Sequence, residues 1–241
     1  MIWRWPICSS LLAFSFLSGE LCAADVSGRV ELADSHVAAV RAKRDFSGVV
    51  VSLRAAPWKS PLEAQPQQAT ILQKDKTFSP HVLAVTVGSS VSFPNMDPIF
   101  HNAFSNYNGE IFDVGLYQPG TTRTVRFNSE GVVRVFCNIH SMMSAVIVVL
   151  ATPYFAVTKR DGSFLIQGVP PGEYDLTIFH ERATESVLRN LARRIHVGPE
   201  PQMIPLLKIS EADFIAIPHK NKYGSEYSPE PRDVITYPSR K

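Results

Sequence analysis

The sequence has little cysteine and no long apolar run beyond its first residues. Its three cysteines are Cys8, Cys22 and Cys137, so only Cys137 lies within residues 25–241. A disulfide inside that segment is therefore excluded, and Cys137 could form an intermolecular bridge, stay a free thiol or bind a metal as a thiolate. No apolar run in the same segment is long enough for a membrane helix.

The motifs of several enzyme classes are also missing. The sequence contains no Gly-x-Ser-x-Gly, no His-Glu-x-x-His and no glycine-rich phosphate loop. It lacks the His-x-His pairs that trinuclear copper oxidase centres use. The formal net charge is +2, and the basic clusters at 41–44 and 189–194 are mixed with apolar residues. These features predict a protein that is not an enzyme and has no nucleic-acid partner.

The beginning of the sequence predicts export. Arg4 precedes an apolar run that is too short to span a bilayer, and the small-residue stretch Cys-Ala-Ala-Asp follows at 22–25. This order of segments is typical of a cleaved signal peptide over residues 1–24 and predicts a periplasmic or otherwise exported protein. A lipoprotein signal with an acylated Cys22, or an uncleaved anchor, is an alternative interpretation.

Most of the remaining chain predicts β-strands. Valine-rich alternating segments are separated by Gly, Pro, Asn and Asp, as in an all-β protein. The best helix candidate is the short segment 181–194. The Pro- and Gln-rich segment 57–67 is typical of a linker, and the polar, Pro-rich segment 211–241 predicts an extended C-terminal tail.

One loop carries three possible metal ligands at equal spacing. Cys137, His140 and Met143 are three residues apart and follow the strand-like segment 131–136. A thiolate, an imidazole and a thioether are soft to intermediate ligands of the kind that binds copper. Met142 precedes Met143 directly, so either methionine could serve as the thioether ligand.

A second imidazole is available from a distant loop. His101 follows the predicted strand 90–95, and the chain between it and Cys137 is long enough to bring two loops to one end of a β-sandwich. We therefore predict a site with His101, Cys137 and His140 as strong trigonal ligands and Met143 as a weak axial ligand.

These segments resemble a known family. The cupredoxins, the small blue-copper electron carriers, are resembled by two segments: VTVGSSVSFPNMDPIFHNAF (85–104) and GVVRVFCNIHSMMSAVIVV (131–149). The Cys-x2-His-x2-Met spacing is similar to the short ligand loop of the amicyanin type. With TPYFAVT (152–158), the segments resemble exported cupredoxin-like proteins called methylamine utilization proteins. The resemblance implies a Greek-key cupredoxin sandwich over residues 68–151, with copper near one end.

The resemblance also implies roles for individual residues. His101, Cys137, His140 and Met143 correspond to the ligands of one copper ion per chain, with His140 as the exposed histidine. Two further residues correspond to positions around the ligands. The backbone N–H of Asn102 is expected to point at the thiolate sulfur, and Asn95 is expected to tie the two ligand loops together.

The resemblance implies that the copper cycles between Cu2+ and Cu+ and carries single electrons between periplasmic redox partners. These proteins would dock near His140, on a patch formed by Ile139, Met142 and Phe100. The alternative is a periplasmic copper-binding, copper-handling or sensor protein without a dedicated electron-transfer role. Zinc could occupy the same ligands, and a vestigial site beside a functional flanking domain is a third interpretation.

The C-terminal half resembles a second family. FAVTKRDGSFLIQGVPPGEYDLTIFH (155–180) is similar to the carboxypeptidase regulatory-like, transthyretin-like β-sandwich, so residues 152–210 are expected to form such a domain. The first strands of that family correspond to VSGRVEL (26–32) and GVVVSLR (48–54), which precede the cupredoxin segment. We therefore predict that the N-terminal strands, within 25–56, belong to this second sandwich and that the cupredoxin is inserted into it.

Overall fold

The computed structural model describes residues 23–56, 64–106, 109–215 and 218–227. The predicted all-β fold is confirmed, since the strands of these described ranges are interrupted by only two short helices. The helices are α1 (Ala38–Lys43) and α2 (Glu185–Leu191). The strands are β1 (Ala24–Ala33), β2 (Val50–Ala55), β3 (Gln68–Thr70), β4 (Leu72–Lys74), β5 (Thr77–Ser79), β6 (Val82–Thr86), β7 (Ser90–Pro94), β8 (Phe104–Ser105), β9 (Phe112–Asp113), β10 (Thr122–Arg126), β11 (Gly131–Phe136), β12 (Ser144–Leu150), β13 (Phe155–Val157), β14 (Ser163–Val169), β15 (Gly172–Phe179), β16 (Arg193–Val197), β17 (Gln202–Met203) and β18 (Leu207–Ser210).

Strands from the two ends of the described chain form one β-sandwich, which we call the split sandwich (24–56 and 155–210). β1 pairs with β14, β17 and β18 in one sheet, and the other sheet has the order β13-β2-β15-β16. Ser27 lies opposite Leu165, and Leu53 lies opposite Leu176. Both sheets therefore combine strands that precede residue 57 with strands that follow residue 154.

The segment between these strands forms a second β-sandwich, which we call the site sandwich (68–150). Its sheets have the orders β10-β7-β3 and β6-β12-β11-β8-β9, and the hairpin β4-β5 lies beside them. Phe93, Phe127 and Ile147 are fully buried between the sheets. Cys137 and Met143 belong to the same buried cluster, so the ligand loop lies at one end of this core.

The strand β12 is apolar from Ala145 to Leu150 because both of its faces are covered. Ile147 and Val149 point into the core of the site sandwich, whereas Val146 and Val148 point outward. The outward residues pack with Val50 of β2, so the split sandwich covers this face. A strand that is buried on both sides has no position that favours a polar side chain, which explains the continuous run SAVIVVL.

Among the described residues, two ion pairs join the sandwiches outside this apolar contact. Arg54 of β2 pairs with Glu130, and His81 Nε2 lies 2.9 Å from Glu181 Oε1. The apolar face and these pairs hold the two sandwiches against each other.

The helices are short and pack on the core of the split sandwich, to which α1 contributes the buried Val40 and against which Val187, Leu188 and Leu191 of α2 lie. α2 lies within the predicted segment 181–194 and begins after Thr184, whose hydroxyl accepts a hydrogen bond from the Val187 N–H at 3.4 Å. Neither helix in the described chain has the length and apolar composition that a membrane crossing needs.

Several predictions fall partly outside the described residues. The parts outside are residues 1–22 of the predicted signal peptide, 57–63 of the predicted linker and 228–241 of the predicted tail. The described part of the tail differs from the prediction. Glu211 is buried, and residues 218–227 turn back onto the site sandwich instead of extending away from it.

Candidate metal centre

His101 is held by the backbone of a neighbouring segment. It lies in the loop between β7 and β8, and backbone hydrogen bonds to another segment fix its position. Its N–H donates to the Tyr117 carbonyl at 3.2 Å, and the Tyr117 N–H donates back to the His101 carbonyl at 2.9 Å. Both residues are buried, so the imidazole enters the site from a fixed backbone.

The second ligand loop joins β11 to β12. Cys137 follows the last residue of β11, and its N–H donates to the Met143 carbonyl at 3.1 Å. The Met143 N–H donates to the His140 carbonyl, also at 3.1 Å. These bonds close the loop tightly and turn the Cys137 and His140 side chains toward the same point.

The two loops bring three donor atoms together. His101 Nδ1 lies 3.9 Å from Cys137 Sγ, and His140 Nδ1 lies 3.7 Å from the same sulfur. The donor atoms of all three residues lie within 4.8 Å of one another. Among the described residues, these three form the one group of at least three His, Cys, Asp or Glu side chains with such a geometry.

The sulfur lies in an environment that disfavours an unpaired thiolate. Burial raises the pKa of the Cys137 thiol, and the backbone N–H groups of Ile139, Asn102 and His140 partly oppose this effect by donating toward the sulfur. A cation beside the sulfur would compensate the negative charge that burial penalises. The N–H of Asn102 is thus one of three backbone groups that donate toward the sulfur.

Asp97 orients the ring of His101. Its Oδ2 lies 2.7 Å from His101 Nε2, and both side chains are buried. Burial lowers the pKa of His101, with Asp97 opposing this, so the imidazole is neutral near pH 7. Because the carboxylate can only accept, Nε2 carries the proton and the Nδ1 lone pair faces Cys137 Sγ.

The position of Asp97 is itself fixed by a tight β-turn. Burial alone would raise the pKa of Asp97, but hydrogen bonds from the Lys76 N–H, the His101 ring and the Asp75 N–H lower it. The two backbone bonds measure 2.9 Å from Lys76 and 2.6 Å from Asp75. Asp75 and Lys76 have φ values of 54° and 53°, as the two central residues of a type I′ hairpin turn do. The β4-β5 hairpin therefore supports the position of His101.

Asn95 organises its own loop. Its Nδ2 donates to the carbonyls of Ile99 at 2.8 Å and Tyr117 at 3.4 Å, and its Oδ1 accepts from the Asp97 N–H at 3.0 Å. All of these partners belong to the segments that surround His101. Asn95 therefore does not make the expected tie to the loop of Cys137.

The two adjacent methionines lie in opposite environments. Met143 is fully buried in the cluster that contains Cys137, whereas Met142 is 86% exposed. His140 is only 8% exposed, although the resemblance implies an exposed histidine. Its Nδ1 faces Cys137 and its ring packs edge-to-face on His101 at 4.9 Å, so most of the imidazole is turned inward.

Asp97 is a site residue that was not predicted from the sequence. Its signal was its place four residues before His101 in a short loop, where a carboxylate can reach the ring. The contacts of residues 218–227 with the ligand loops were not predicted either, because no sequence pattern indicates them.

No family model and no curated protein matches the chain. Among solved structures, a copper-containing nitrite reductase from Thermus scotoductus is 26% identical, with 40% of this chain and 25% of that chain covered and a TM-score of 0.33. A purple cupredoxin from Nitrosopumilus maritimus is 26% identical, covering 34% of this chain and 99% of that one, with a TM-score of 0.31. An amicyanin variant in the Cu(I) state is 16% identical over 43% of this chain and 99% of that one, with a TM-score of 0.32. The matched segment thus spans a quarter of the nitrite reductase chain, and each likeness is partial.

Proposed function

We propose that the chain is an exported cupredoxin-like protein that binds one copper ion and carries single electrons between redox partners. The observation that supports this is the convergence of His101 Nδ1, His140 Nδ1 and Cys137 Sγ within 4.8 Å of one another. Two imidazoles and one thiolate are the ligand set of trigonal blue-copper sites. Electron exchange between Cu(II) and Cu(I) would be supplied by the metal.

The described residues fit this cofactor. Cys137 and His101 are fully buried and His140 nearly so, which leaves little room for water or a substrate to reach the donor atoms. Asp97 holds one ring, and three backbone N–H groups stabilise a thiolate. A site held this firmly suits electron transfer, in which the ligands should move little, better than the binding and conversion of a substrate. We therefore propose a carrier and not an enzyme.

Met143 is the proposed axial ligand. Its burial in the cluster that contains Cys137 supports this assignment, whereas the exposed Met142 lies on the surface of the same loop. Met142 instead belongs to the proposed docking patch with Ile139, which is 40% exposed, and the half-buried Phe100. Partners would dock there, next to the accessible edge of His140.

We also propose the domain arrangement and location that the sequence predicts. The site sandwich would be a cupredoxin inserted into a carboxypeptidase regulatory-like scaffold, which the pairings of β1 with β14 and of β2 with β15 support. The proposed location is the periplasm, on the strength of the sequence of residues 1–24. The methylamine utilization type is a family resemblance, and no amine oxidation is proposed.

Voltammetry of the copper-loaded protein, combined with its absorption spectrum, tests the proposed role. We expect an intense blue Cu(II) form that is stable and a reversible one-electron wave. Retention of Cu(I) without a stable blue Cu(II) form would contradict electron transfer and favour copper handling or sensing. A chain that binds no copper would contradict both roles.

A further inference from the structure

Residues 218–227 form a compact segment, which we call the C-terminal strap. Asn221 organises it, since its Oδ1 accepts hydrogen bonds from the N–H groups of Tyr223 and Ser225, each at 3.0 Å. The Gly224 N–H donates to the Asn221 carbonyl at 2.9 Å. The strap is therefore a defined turn, although it contains neither helix nor strand.

The strap contacts the backbone of the Cys137 loop. The Tyr227 hydroxyl donates to the Cys137 carbonyl at 2.8 Å, and the Lys222 N–H donates to Asn138 Oδ1 at 2.9 Å. Both contacts fall on the residues that open the ligand loop. The strap thus satisfies polar groups at the point where the strand ends and the metal ligands begin.

An aromatic stack holds the strap in place. Val135 and Cys137 point into the core, so Phe136 between them points away from it. Phe136 is nevertheless only 6% exposed, and the His219 ring stacks on it at 4.0 Å with an interplanar angle of 26°. The Tyr227 ring meets His219 edge-to-face at 5.2 Å. These contacts give the strap an apolar anchor beside its hydrogen bonds.

A second polar anchor reaches the other ligand loop. Lys222 Nζ lies 2.6 Å from Asp113 Oδ2, and Asp113 Oδ1 accepts from Asn102 Nδ2 at 2.7 Å. Asn102 follows His101, and its backbone N–H donates toward the sulfur of Cys137. Through Asp113, the strap is connected to the loop of His101 as well as to that of Cys137.

We propose that the C-terminal strap is part of the metal centre: it ties the two ligand loops together, and Tyr227 is a positioning residue for Cys137. The strap makes the connection that the resemblance assigned to Asn95. As a statement about the metal, this inference rests on the proposed function. As a statement about the position of Cys137, it rests on the strap contacts alone.

Two consequences follow from the Tyr227 hydrogen bond. Loss of a bond worth about 1 kcal/mol should make local opening of the Cys137 loop about fivefold more frequent. The positive end of the hydroxyl dipole is directed at Cys137 and favours the state with less positive charge on the metal. Its removal should therefore lower the midpoint potential of the bound copper.

The first test uses the full chain without metal. Tyr227→Phe removes the hydroxyl, and Tyr223→Phe is the matched control in the same strap, at a position that is 75% exposed. The rate at which a small alkylating reagent labels Cys137 is followed by mass spectrometry of the peptide that contains it. We expect about fivefold faster labelling in Tyr227→Phe and the wild-type rate in Tyr223→Phe.

Lys222→Ala removes the ion pair with Asp113 without touching Tyr227 and should also speed the labelling of Cys137. Wild-type labelling rates in both Tyr227→Phe and Lys222→Ala would overturn the proposal. This second variant keeps the test decisive if Tyr227→Phe fails to fold.

The second test uses the copper-loaded protein. In Tyr227→Phe we expect a lower midpoint potential and about fivefold faster transfer of copper to a chelator, with Tyr223→Phe unchanged. A wild-type chain that binds no copper, combined with faster labelling in Tyr227→Phe, would support the strap and contradict the proposed function. If the chain binds copper, but Tyr227→Phe changes neither the labelling rate of Cys137 nor the midpoint potential, the proposed role of the strap is contradicted. The proposed function is then unaffected.

Discussion

Each sandwich contains a buried histidine paired with a carboxylate, and the two pairs differ in what surrounds them. His101 Nε2 lies 2.7 Å from Asp97 in the site sandwich, and His180 Nε2 of the split sandwich lies 2.7 Å from Glu211, which directly follows β18. The second nitrogen of His101 faces Cys137 Sγ at 3.9 Å. The second nitrogen of His180 is buried without a hydrogen-bond partner.

The carboxylates differ as well. Glu211 also accepts from Arg182 Nε at 3.1 Å and from the Ser35 hydroxyl, so it serves a network that joins several segments of the split sandwich. Asp97 accepts from backbone N–H groups and His101 and serves one ring. An imidazole–carboxylate pair therefore orients a ring in both places. The ring is a candidate metal ligand only where further donor atoms, here Cys137 Sγ and His140 Nδ1, lie close to its second nitrogen.

The largest expected effect distinguishes the Glu211 network from the site. Glu211→Ala leaves the buried His180 without its carboxylate and removes one of the two carboxylates that Arg182 contacts, the other being Glu181. We expect it to lower the free energy of unfolding by about 3 kcal/mol. Denaturant unfolding measures this loss. The absorption of the copper-loaded protein should be unchanged, and loss of that absorption in a folded Glu211→Ala protein would contradict the separation of the two pairs.

A smaller effect is expected when the pair at the site is altered. Asp97→Asn leaves one acceptor oxygen for the backbone N–H groups of Asp75 and Lys76 and the ring N–H of His101, which weakens the hydrogen bond that keeps the proton on Nε2. We expect copper affinity to fall by about 10- to 100-fold, as measured by competition with a chelator. Glu211→Gln is the matched control and should keep the wild-type affinity. Equal affinities in all three proteins would show that Asp97 does not orient His101.

The smallest effect concerns the contact between the sandwiches. The hydrogen bond to Glu181 raises the pKa of His81, with burial opposing it, so the charged pair stabilises the fold fully below pH 6.5 and less as pH rises through the raised pKa. His81→Asn can keep the bond to the Ser144 carbonyl while removing the pair. We expect a loss of less than about 1 kcal/mol at pH 6 and almost none at pH 9. Denaturant unfolding at both pH values checks this, and an equal loss at the two would contradict it.

Long strands could be predicted from the sequence because their patterns are local. β12 and β15 each have seven or eight residues with a clear apolar pattern. The strand β17 has two residues, and its existence depends on parallel pairing with β1, from which most of the chain separates it. No local pattern can indicate such a strand.

The predicted ligands differ in the same way from the residues that hold them in position. Cys137 and His140 are three residues apart, so the spacing itself indicates a shared site. Tyr227 lies 90 residues beyond Cys137 and contacts its backbone carbonyl, an acceptor that every residue has. Contacts of this kind follow from the folded topology and leave no signature in the sequence.

Titration of the protein with copper, followed by absorption and electron paramagnetic resonance spectra, tests the central claim most directly. The wild-type chain should turn blue as it binds one copper, and Cys137→Ser should stay colourless because serine supplies no thiolate. A Cys137→Ser protein with the wild-type spectra would contradict the assignment of Cys137, His101 and His140 as the ligands of one metal ion.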